Sequence, residues 1–524
     1  MSPTPSPVPA PSASASASPA PISVGRSRIG IVPGATLRIP VTGGIGRLRA
    51  AASFDGLDAQ YDPVEHTLIL TATTPGSGTV MLNDASGNAT TVPVLVAPAA
   101  GVVPRDATVE LAGTDGAAFV ASRVHAAIAA AAQLQPGAAI VLRGLTIPDP
   151  LKPGIVLEGR AQVEIDGNGR FVDQLGTTDV HVVVDTLPTL APQVLFYSDD
   201  PETLGATDEG VLFHGTIDAA HPARAYVYHV SKTPGRHLYL ALQAPSGARV
   251  QILGIAAGPS GAWAYVGHVS TDRYLLERST QESFVADVPA QTPYLFPLAA
   301  FTQPNELIDA IYDLRVLDGG PVQAVVVAAN DQTETDTLLA QPELAGDGHG
   351  RRGEFALTGI PPLALAYVAG GPEPPPFTVG FPVFPNLRPG GRALGGDYGV
   401  LRQVALQLSN PAPTPQNVYL YEMLGNTGGG GTTTTIWFDG DAAPTEVPCV
   451  RLRDQRYLVK AFPLAPGETR TVTGEYMTDG TSSFPLSFGL TSTPPPAPGT
   501  NACSAHPTLP SPAPEATTIP SAAP

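Results

Sequence analysis

Histidine is the residue type whose placement most resembles a reactive site. Five of the ten histidines, His214, His221, His229, His237 and His268, fall within 55 residues. A metal-dependent hydrolase would need three or four of them to converge at ~2 Å from one ion. On a hairpin, His229 of "YVYHV" and His237 of "HLYLAL" would face each other across two strands. Against this, no HxH or HExxH spacing occurs. The flanking residues are Tyr226, Tyr228 and Tyr239, and region 362–490 has no histidine at all. The group reads better as ordinary sheet and surface histidines, so no metal and no cofactor is expected.

Other candidates weaken in the same way. "VEIDGNGRFVD" (163–173) offers Asp166, Asn168 and Asp173 as oxygen ligands, but Arg170 stands at the fifth position of a calcium loop. An Asp-Gly/Asn-Gly hairpin turn, which takes φ > 0 without strain, accounts for the stretch. "IDGNG" also occurs in β-helix enzymes acting on pectin, but here it stands once, without rungs. The Gly-x-Ser stretches "GPSGAW" and "PGSG" read as turns, not as a nucleophile elbow. "GNTGGGG" leads into the strand-like "TTTTIWF", so no helix N-terminus follows to hold phosphate. No carboxylate pair stands out as a catalytic dyad, and no catalytic residue is expected.

The two tryptophans remain. Trp263 follows "GPSG" with Tyr265 nearby, and Trp437 follows "GGGGTTTT" beside Phe438. Each is either a packed sandwich residue or an exposed platform for a sugar ring or a partner chain. Cys449 and Cys503 are the only cysteines. A bridge between them would tie the tail to the last domain, although pairing cannot be read from spacing.

The surroundings must be mostly strand. The chain has 524 residues, 14% of them charged and 43% hydrophobic, with 58 Pro and 55 Gly. That combination calls for several cores built of short strands and many turns. A net charge of −18 without a Lys/Arg cluster disfavours nucleic acid and anionic membranes. No apolar run reaches the ~18 residues of a transmembrane helix.

Residues 1–21 and 491–524 are Pro/Ser/Ala/Thr-rich and read as disordered linker and tail. Residues 22–98 alternate in short strands split by "PG", "GG", "PGSG" and "ASGN" turns. In 99–187, a helix from about Gly116 to Leu134, capped by Thr114 or Asp115, carries Val120, Val124, Ile128 and Ala131 on one face. Strands follow it, which makes a small α+β module.

Residues 188–340 and 362–490, joined by a linker at 341–361, read as two related sandwiches. "LYLALQAP" (238–245) and "VALQLSNP" (404–411) share a pattern, and "FPLA" recurs at 296–299 and 462–465. Both pairs are 166 positions apart. "NELIDAIYDLRVLDG" is helical by propensity but alternates: Ile308, Ala310, Tyr312, Leu314 and Val316 oppose Asp309, Asp313 and Arg315. The strand reading is preferred.

The pattern "VPGATLRIPVTGGIGRL…YDPVEHTLILTATTPGSGTVMLNDASGNATTVPVLVAP" resembles bacterial Ig-like modules and the N-terminal β-domain of pilus-assembly secretins. The remainder looks like secreted multidomain bacterial β-sandwich proteins. The expected fold is mainly β: tandem Ig-like β-sandwich domains, one small α+β module and disordered Pro-rich termini. The expected role is non-enzymatic, structural or adhesive, in the bacterial envelope, with an envelope protein or glycan as partner. The alternatives are a carbohydrate-binding accessory protein or a pilus/secretion-assembly component. Location outside the cytoplasm would require a signal peptide or lipid anchor ahead of residue 1.

Overall fold

The computed structural model describes residues 20–497, apart from 114–115, 331–334, 349–350, 381–382, 426–430 and 451–452. The expectations for most of the two Pro-rich ends, for Thr114 and Asp115 as caps and for the Cys449–Cys503 bridge therefore lie outside the described residues. The chain is mainly β, with 52% strand against 8% helix, as its alternation implies.

The first module has seven strands: β1 (Ile29–Ile31), β2 (Thr36–Pro40), β3 (Arg49–Ala52), β4 (Leu57–Asp62), β5 (Thr67–Ala72), β6 (Gly76–Asn83) and β7 (Ala89–Val96). They form two facing sheets, β1-β7-β6-β3 and β2-β5-β4. Period-2 apolar residues such as Leu68, Leu70, Val92 and Val94 fill the space between them.

Next come β8 (Asp106–Ala112), α1 (Ala117–Ala131), β9 (Ala139–Arg143), β10 (Val156–Asp166) and β11 (Gln174–Asp185). Val120, Val124 and Ile128 of α1 are buried on this sheet as expected, whereas Ala131 is exposed. Two carboxylates from elsewhere in the chain cap the helix: Glu282 accepts from Gly116 N–H at 2.8 Å and Asp149 from Ala117 N–H at 3.2 Å. Negative charge is favourable at this end of a helix. "IDGNG" is the β10–β11 hairpin connection, with Asn168 and Gly169 at φ +50° and +70°. Asp166 and Asp173 accept backbone N–H groups within it.

The following strands are β12 (Val194–Asp199), β13 (Thr203–Leu204), β14 (Gly210–Ile217), β15 (Ala223–Ser231), β16 (Arg236–Gln243) and β17 (Ala248–Ser260). After α2 (Trp263–Thr280) come β18 (Ser283–Val288), β19 (Tyr294–Phe301), β20 (Glu306–Gly319), β21 (Val322–Asn330), α3 (Thr335–Leu339) and β22 (Arg351–Ala356). The last unit holds β23 (Leu363–Val368), β24 (Phe377–Val379), β25 (Leu401–Ser409), β26 (Gln416–Leu424) and β27 (Thr432–Phe438). It closes with β28 (Thr445–Val450), β29 (Arg456–Leu464), β30 (Thr469–Thr478) and β31 (Leu486–Thr491).

The two sandwiches share one nine-strand topology. Sheet β12-β15-β20-β17-β18 corresponds to β23-β25-β30-β27-β28, and β14-β21-β16-β19 to β24-β31-β26-β29. Sequence order is preserved throughout. The first two strands of each larger sheet are parallel, β12 to β15 and β23 to β25. Both copies carry a bulge at the same place, between Leu238 and Tyr239 against β19 and between Leu420 and Tyr421 against β29.

The residue alignment expected from the 166-position offset is corrected by this register. "LYLALQAP" lies in β16, but "VALQLSNP" lies in β25, the counterpart of β15. The two "FPLA" copies do lie in equivalent strands, slipped along them. At the bulges, Leu238 and Leu420 are 182 positions apart, whereas the extra residues Leu298 and Val459 are 161 apart. The offset shrinks because α2, 18 residues long, is inserted in the first copy alone.

Two boundaries also move. β18 pairs with β8, so the sheet of 99–187 runs on into the first sandwich across residue 187 as one eleven-stranded sheet. A single apolar core joins α1 and its strands to that sandwich. The expected linker 341–361 contains β22, an edge strand paired with β12, because "RRGEFA" alternates and meets a free edge.

Candidate binding cleft and the interface behind it

The alternation in region 188–340 implies strands only, yet α2 is the element that organises the site. Its buried residues Val266, Ser270 and Tyr274, with Gly267, Thr271 and Leu275, repeat every four positions. That stripe mixes apolar with polar side chains, so hydropathy alone does not reveal it. The C-terminus closes on Gln281 at φ +57°, with Gln281 N–H on Arg278 O and Glu282 N–H on Glu277 O. Arg278 in the last turn suits the negative end of the helix.

α2 lies between the sandwiches, packed on β17 and β20 of the first and on β27 and β30 of the second. Val266, Tyr274 and Leu275 join Tyr226, Leu253, Ile311, Leu394, Val400 and Met477 in one apolar cluster drawn from both sandwiches. Burying such side chains contributes roughly 1.5–3 kcal/mol each. Glycine permits the close approach. A Cβ on Gly267 would lie 2.8 Å from the backbone nitrogen of Thr481, and one on Gly480 would lie 1.9 Å from Asp309 Oδ2.

Two polar networks cross the same interface. Arg224 is buried and donates to Asp313 at 2.7 and 3.1 Å, to Gly399 O at 2.9 Å and to the Tyr274 hydroxyl. Tyr274 in turn donates to Asp313 at 2.7 Å. Arg278 adds paired bonds to Glu475 of β30 at 3.0 and 3.3 Å and one to Leu190 O. Sheet, helix and second sandwich are thus fastened through charge-assisted bonds of the strong, bidentate kind.

The second network centres on His268 of α2. Its Nδ1 lies 2.6 Å from Asp479 and its Nε2 3.4 Å from Glu446, both in the second sandwich. Burial opposes the imidazolium, but the Asp479 and Glu446 carboxylates outweigh it and hold its pKa up at about 10. Burial, aided by the Glu446 charge, lifts Asp272 to about 6. Burial also pushes Asp309 well above the carboxylate range, despite hydrogen bonds from Ser270 and Tyr226. Inside the second sandwich, burial lifts Glu422 to about 8, with the Asp479 charge adding to it.

The sequence candidates disperse around this frame. His229 and His237 do not face each other, because β15 and β16 belong to different sheets. His229 is fully buried; its Nδ1 donates to Pro201 O at 2.8 Å, so its Nε2 accepts from Ser198 at 2.9 Å. Burial lowers its pKa to about 4, and it is a neutral core residue. His214 pairs with Glu343 and His221 with Asp218 at the surface. Among the described residues, no group of three or more His, Cys, Asp and Glu is placed to hold a metal ion.

The four aromatic candidates separate as well. Phe438 is 2% exposed in the second core, so it offers no face to a ligand. Trp437 is half-buried against the inter-sandwich cluster, and Tyr265 is half-buried on α2. The tryptophans are not equivalent positions: Trp437 lies in β27, the counterpart of β17, and Trp263 opens the inserted helix. Trp263 alone is exposed, at 36%. Its indole N–H donates to Asn305 O at 2.9 Å, which fixes the ring.

Trp263 stands on a cleft of about 540 Å³ between the two sandwiches. Tyr228, Tyr398 and Phe484 supply further rings, and Glu202 and Arg351 supply charge. Tyr398 and Phe484 meet edge to face at 5.0 Å. Arg351 is tied to Asp199 at 3.0 Å and to Glu202 at 2.7 Å, so its charge is already balanced. Tyr228, Tyr398 and Phe484 were not singled out in the sequence, because they meet Trp263 only once the sandwiches are docked. A second hollow of about 530 Å³ at one end of the first sandwich is lined by Gln, Pro, Thr and Ala, with neither ring nor charge.

No family model matches the chain, and no curated protein matches it. The resemblance of residues 22–98 to secretin modules therefore gains no support at family level, and the Ig-like fold is what stands. Among solved structures, the chain is similar to domains 4–9 of the surface layer protein SbsC. Identity there is 14% and the TM-score 0.15, over 39% of this chain and 35% of that one. It is similar to the D00-D0 domain of intimin at 11% identity and TM-score 0.14, over 31% and 98%. It is similar to Bacteroides ovatus SGBP-B, solved with a mixed-linkage heptasaccharide, at 14% and 0.13, over 59% and 73%. Scores of this size carry no argument about function. No helix of the described residues is long and apolar enough to cross a membrane.

Proposed function

We propose that this chain is a non-enzymatic structural or adhesive protein of the bacterial cell envelope, working outside the cytoplasm and binding other macromolecules through its sandwich surfaces. The observation that supports it most is the interface built on α2. Two sandwiches joined only by a chain would swing independently, as inter-domain contacts commonly allow. Here apolar packing, two glycine contacts and two ionic networks fasten them. Such a body holds its binding faces at a fixed spacing, which is what a spacer or adhesin requires. His268 and Asp309 of the first sandwich meet Asp479 and Gly480 of the second across that interface, buried and engaged with one another, which favours a fastening role over a catalytic one.

Co-sedimentation of the full chain with isolated bacterial envelopes tests the reading. Saturable binding that survives removal of divalent cations is expected. An unbound, freely diffusing product, or turnover of model esters, phosphates or glycosides, would count against it. A second reading, a carbohydrate-binding accessory protein, is favoured by one observation: the fixed, exposed ring of Trp263 on the inter-sandwich cleft.

A further inference from the structure

We infer that the cleft between the sandwiches is a binding site for a short, neutral oligosaccharide, with Trp263 as its stacking platform. The inference rests on reading the chain as a binding protein and names a ligand class for it.

Four observations carry it. First, the rings differ in kind from core aromatics. Trp263 is 36% exposed and Tyr398 and Phe484 are half-buried, all turned to one hollow. Pyranose rings present C–H faces that pack on such rings, while their edges need polar partners. Second, those partners are present. Thr481 and Ser483, each carrying a hydroxyl, line the hollow with Glu202 and Arg351. A carboxylate next to a guanidinium can accept from and donate to neighbouring sugar hydroxyls.

Third, the charge is wrong for an anion. Arg351 is held by two carboxylates, Asp199 and Glu202, and the chain carries −18 overall. A phosphorylated or uronic-acid ligand would meet repulsion, and a neutral one would not. Fourth, the platform is already ordered. The Trp263 indole bond to Asn305 O holds the ring in place, and Tyr398 donates to Ser482 O. Little side-chain freedom is left to lose on binding, which is how preorganisation raises affinity. A hollow of about 540 Å³ falls within the usual range of small-ligand sites, so a short oligosaccharide fits and a bulky branched chain does not.

The test uses the full chain. A panel of neutral oligosaccharides is screened, and each hit is titrated against wild type, Trp263→Ala and Trp437→Phe. The last variant leaves Trp263 as the sole tryptophan. Saturable binding, a fluorescence change in Trp437→Phe, and at least a tenfold loss in Trp263→Ala at unchanged Tm are the expected results. Should Trp263→Ala unfold, Trp263→Phe serves as the second variant: it keeps a smaller ring but loses the indole bond to Asn305 O, and saccharide binding weakened at unchanged Tm is expected, while undiminished binding counts against the platform.

The inference is overturned if no neutral saccharide binds, or if binding is indifferent to Trp263. It is equally overturned if the cleft takes only charged sugars, or only a proline-rich peptide such as one spanning residues 1–21. Any of these results with envelope co-sedimentation intact would remove the sugar site and leave the adhesive reading standing. Loss of co-sedimentation with sugar binding intact would do the reverse.

Discussion

In the second sandwich, β25 alternates buried residues with exposed or half-buried ones, and Thr469 to Thr473 of β30 alternate exposed with half-buried. In the first, every residue of β15 is buried, as are Leu307 to Leu314 of β20. The strands are topological equivalents, so topology does not set the difference. α2 does: it covers the outer face of the first sandwich's larger sheet and presents that face to the second sandwich. Side chains that would sit in water on an ordinary sandwich, Arg224, Asp309 and Asp313 among them, become interior groups and must find partners. One helical insertion thus turns two beads into a single body and creates the cleft at its edge.

The sharpest way to break this contrast is through the two buried ion pairs. Arg224–Asp313 joins β15 to β20 within the first sandwich, on the face that meets α2 through Tyr274 and the second sandwich through Gly399 O, whereas Arg402–Asp397, at 2.5 and 2.8 Å, lies wholly within the second sandwich. Removing one partner of a buried pair strands the other and costs about 3–5 kcal/mol. Asp313→Ala and Asp397→Ala should therefore lose similar stability in denaturant melts. Only Asp313→Ala should split a shared transition into two, with the second sandwich melting separately. A single transition in that variant would show that the pair does not couple the sandwiches.

Next in size is a reversal of sign. Gly to Ala in a helix interior ordinarily stabilises by about 1 kcal/mol. Gly267 is helical, but its new Cβ would meet the backbone of Thr481 and Gly480 at 2.8 to 3.1 Å. Gly267→Ala should destabilise by roughly 2 kcal/mol or more, as overpacking does. Gly467 in the second sandwich sits at φ +72° with open space around it. Gly467→Ala should cost only about 1 kcal/mol, from backbone strain. Equal effects at the two sites, by chemical denaturation, would refute the tight docking of α2.

pH separates the sandwiches in another way. Glu422, in the second, moves from an ordinary 4.5 to about 8 on folding. The folded state binds its proton more tightly, so stability should fall as pH rises from about 4.5 to about 8. Glu422→Gln should flatten that decline and gain about 1–3 kcal/mol by pH 8. His268, at the interface, is raised from 6.5 to about 10. Its contribution is fully present below about 6.5 and is lost as pH rises through about 10. Coupling between the sandwiches should therefore fade in alkali, and His268→Phe should lack this alkaline loss. A Tm profile in Glu422→Gln that matches wild type would discard the Glu422 assignment.

These cases also show what the sequence could tell. Alternation placed β20 as a strand with Ile308, Ala310, Tyr312 and Leu314 inward, and they are in the core. The same alternation set Asp309 and Asp313 opposite, where solvent would be expected, and both are 0% exposed. A pattern of period 2 reports two faces; it cannot report what covers the second. α2 escaped notice because its buried stripe, with Ser270, Thr271 and His268, is not apolar. The repeat was visible in "FPLA", but a single fixed offset could not survive an insertion of helix length. Of the site, Trp263 was legible from its Gly-rich setting. Its neighbours Tyr398 and Phe484 were not, since more than a hundred positions separate them from it.

The smallest effect is the control on which the contrast depends. Thr471 lies on β30, exposed, pointing away from the core that Val472 packs against. On the first sandwich the corresponding sheet face is roofed by α2 and the second sandwich. Thr471→Asn should shift stability by no more than about 0.5 kcal/mol, as surface changes generally do. Asp309→Asn tests the roofed face: Asp309 packs against Gly480 and accepts from the Tyr226 hydroxyl, and burial, which pushes its carboxyl well above the carboxylate range, favours the neutral acid that an amide resembles in shape. Little loss is expected in acid and a relative gain over wild type as pH rises, since an amide has no proton to lose. If Asp309→Asn instead behaved like Thr471→Asn at every pH, the first sandwich's outer face would be wet, and the two copies would differ in sequence only.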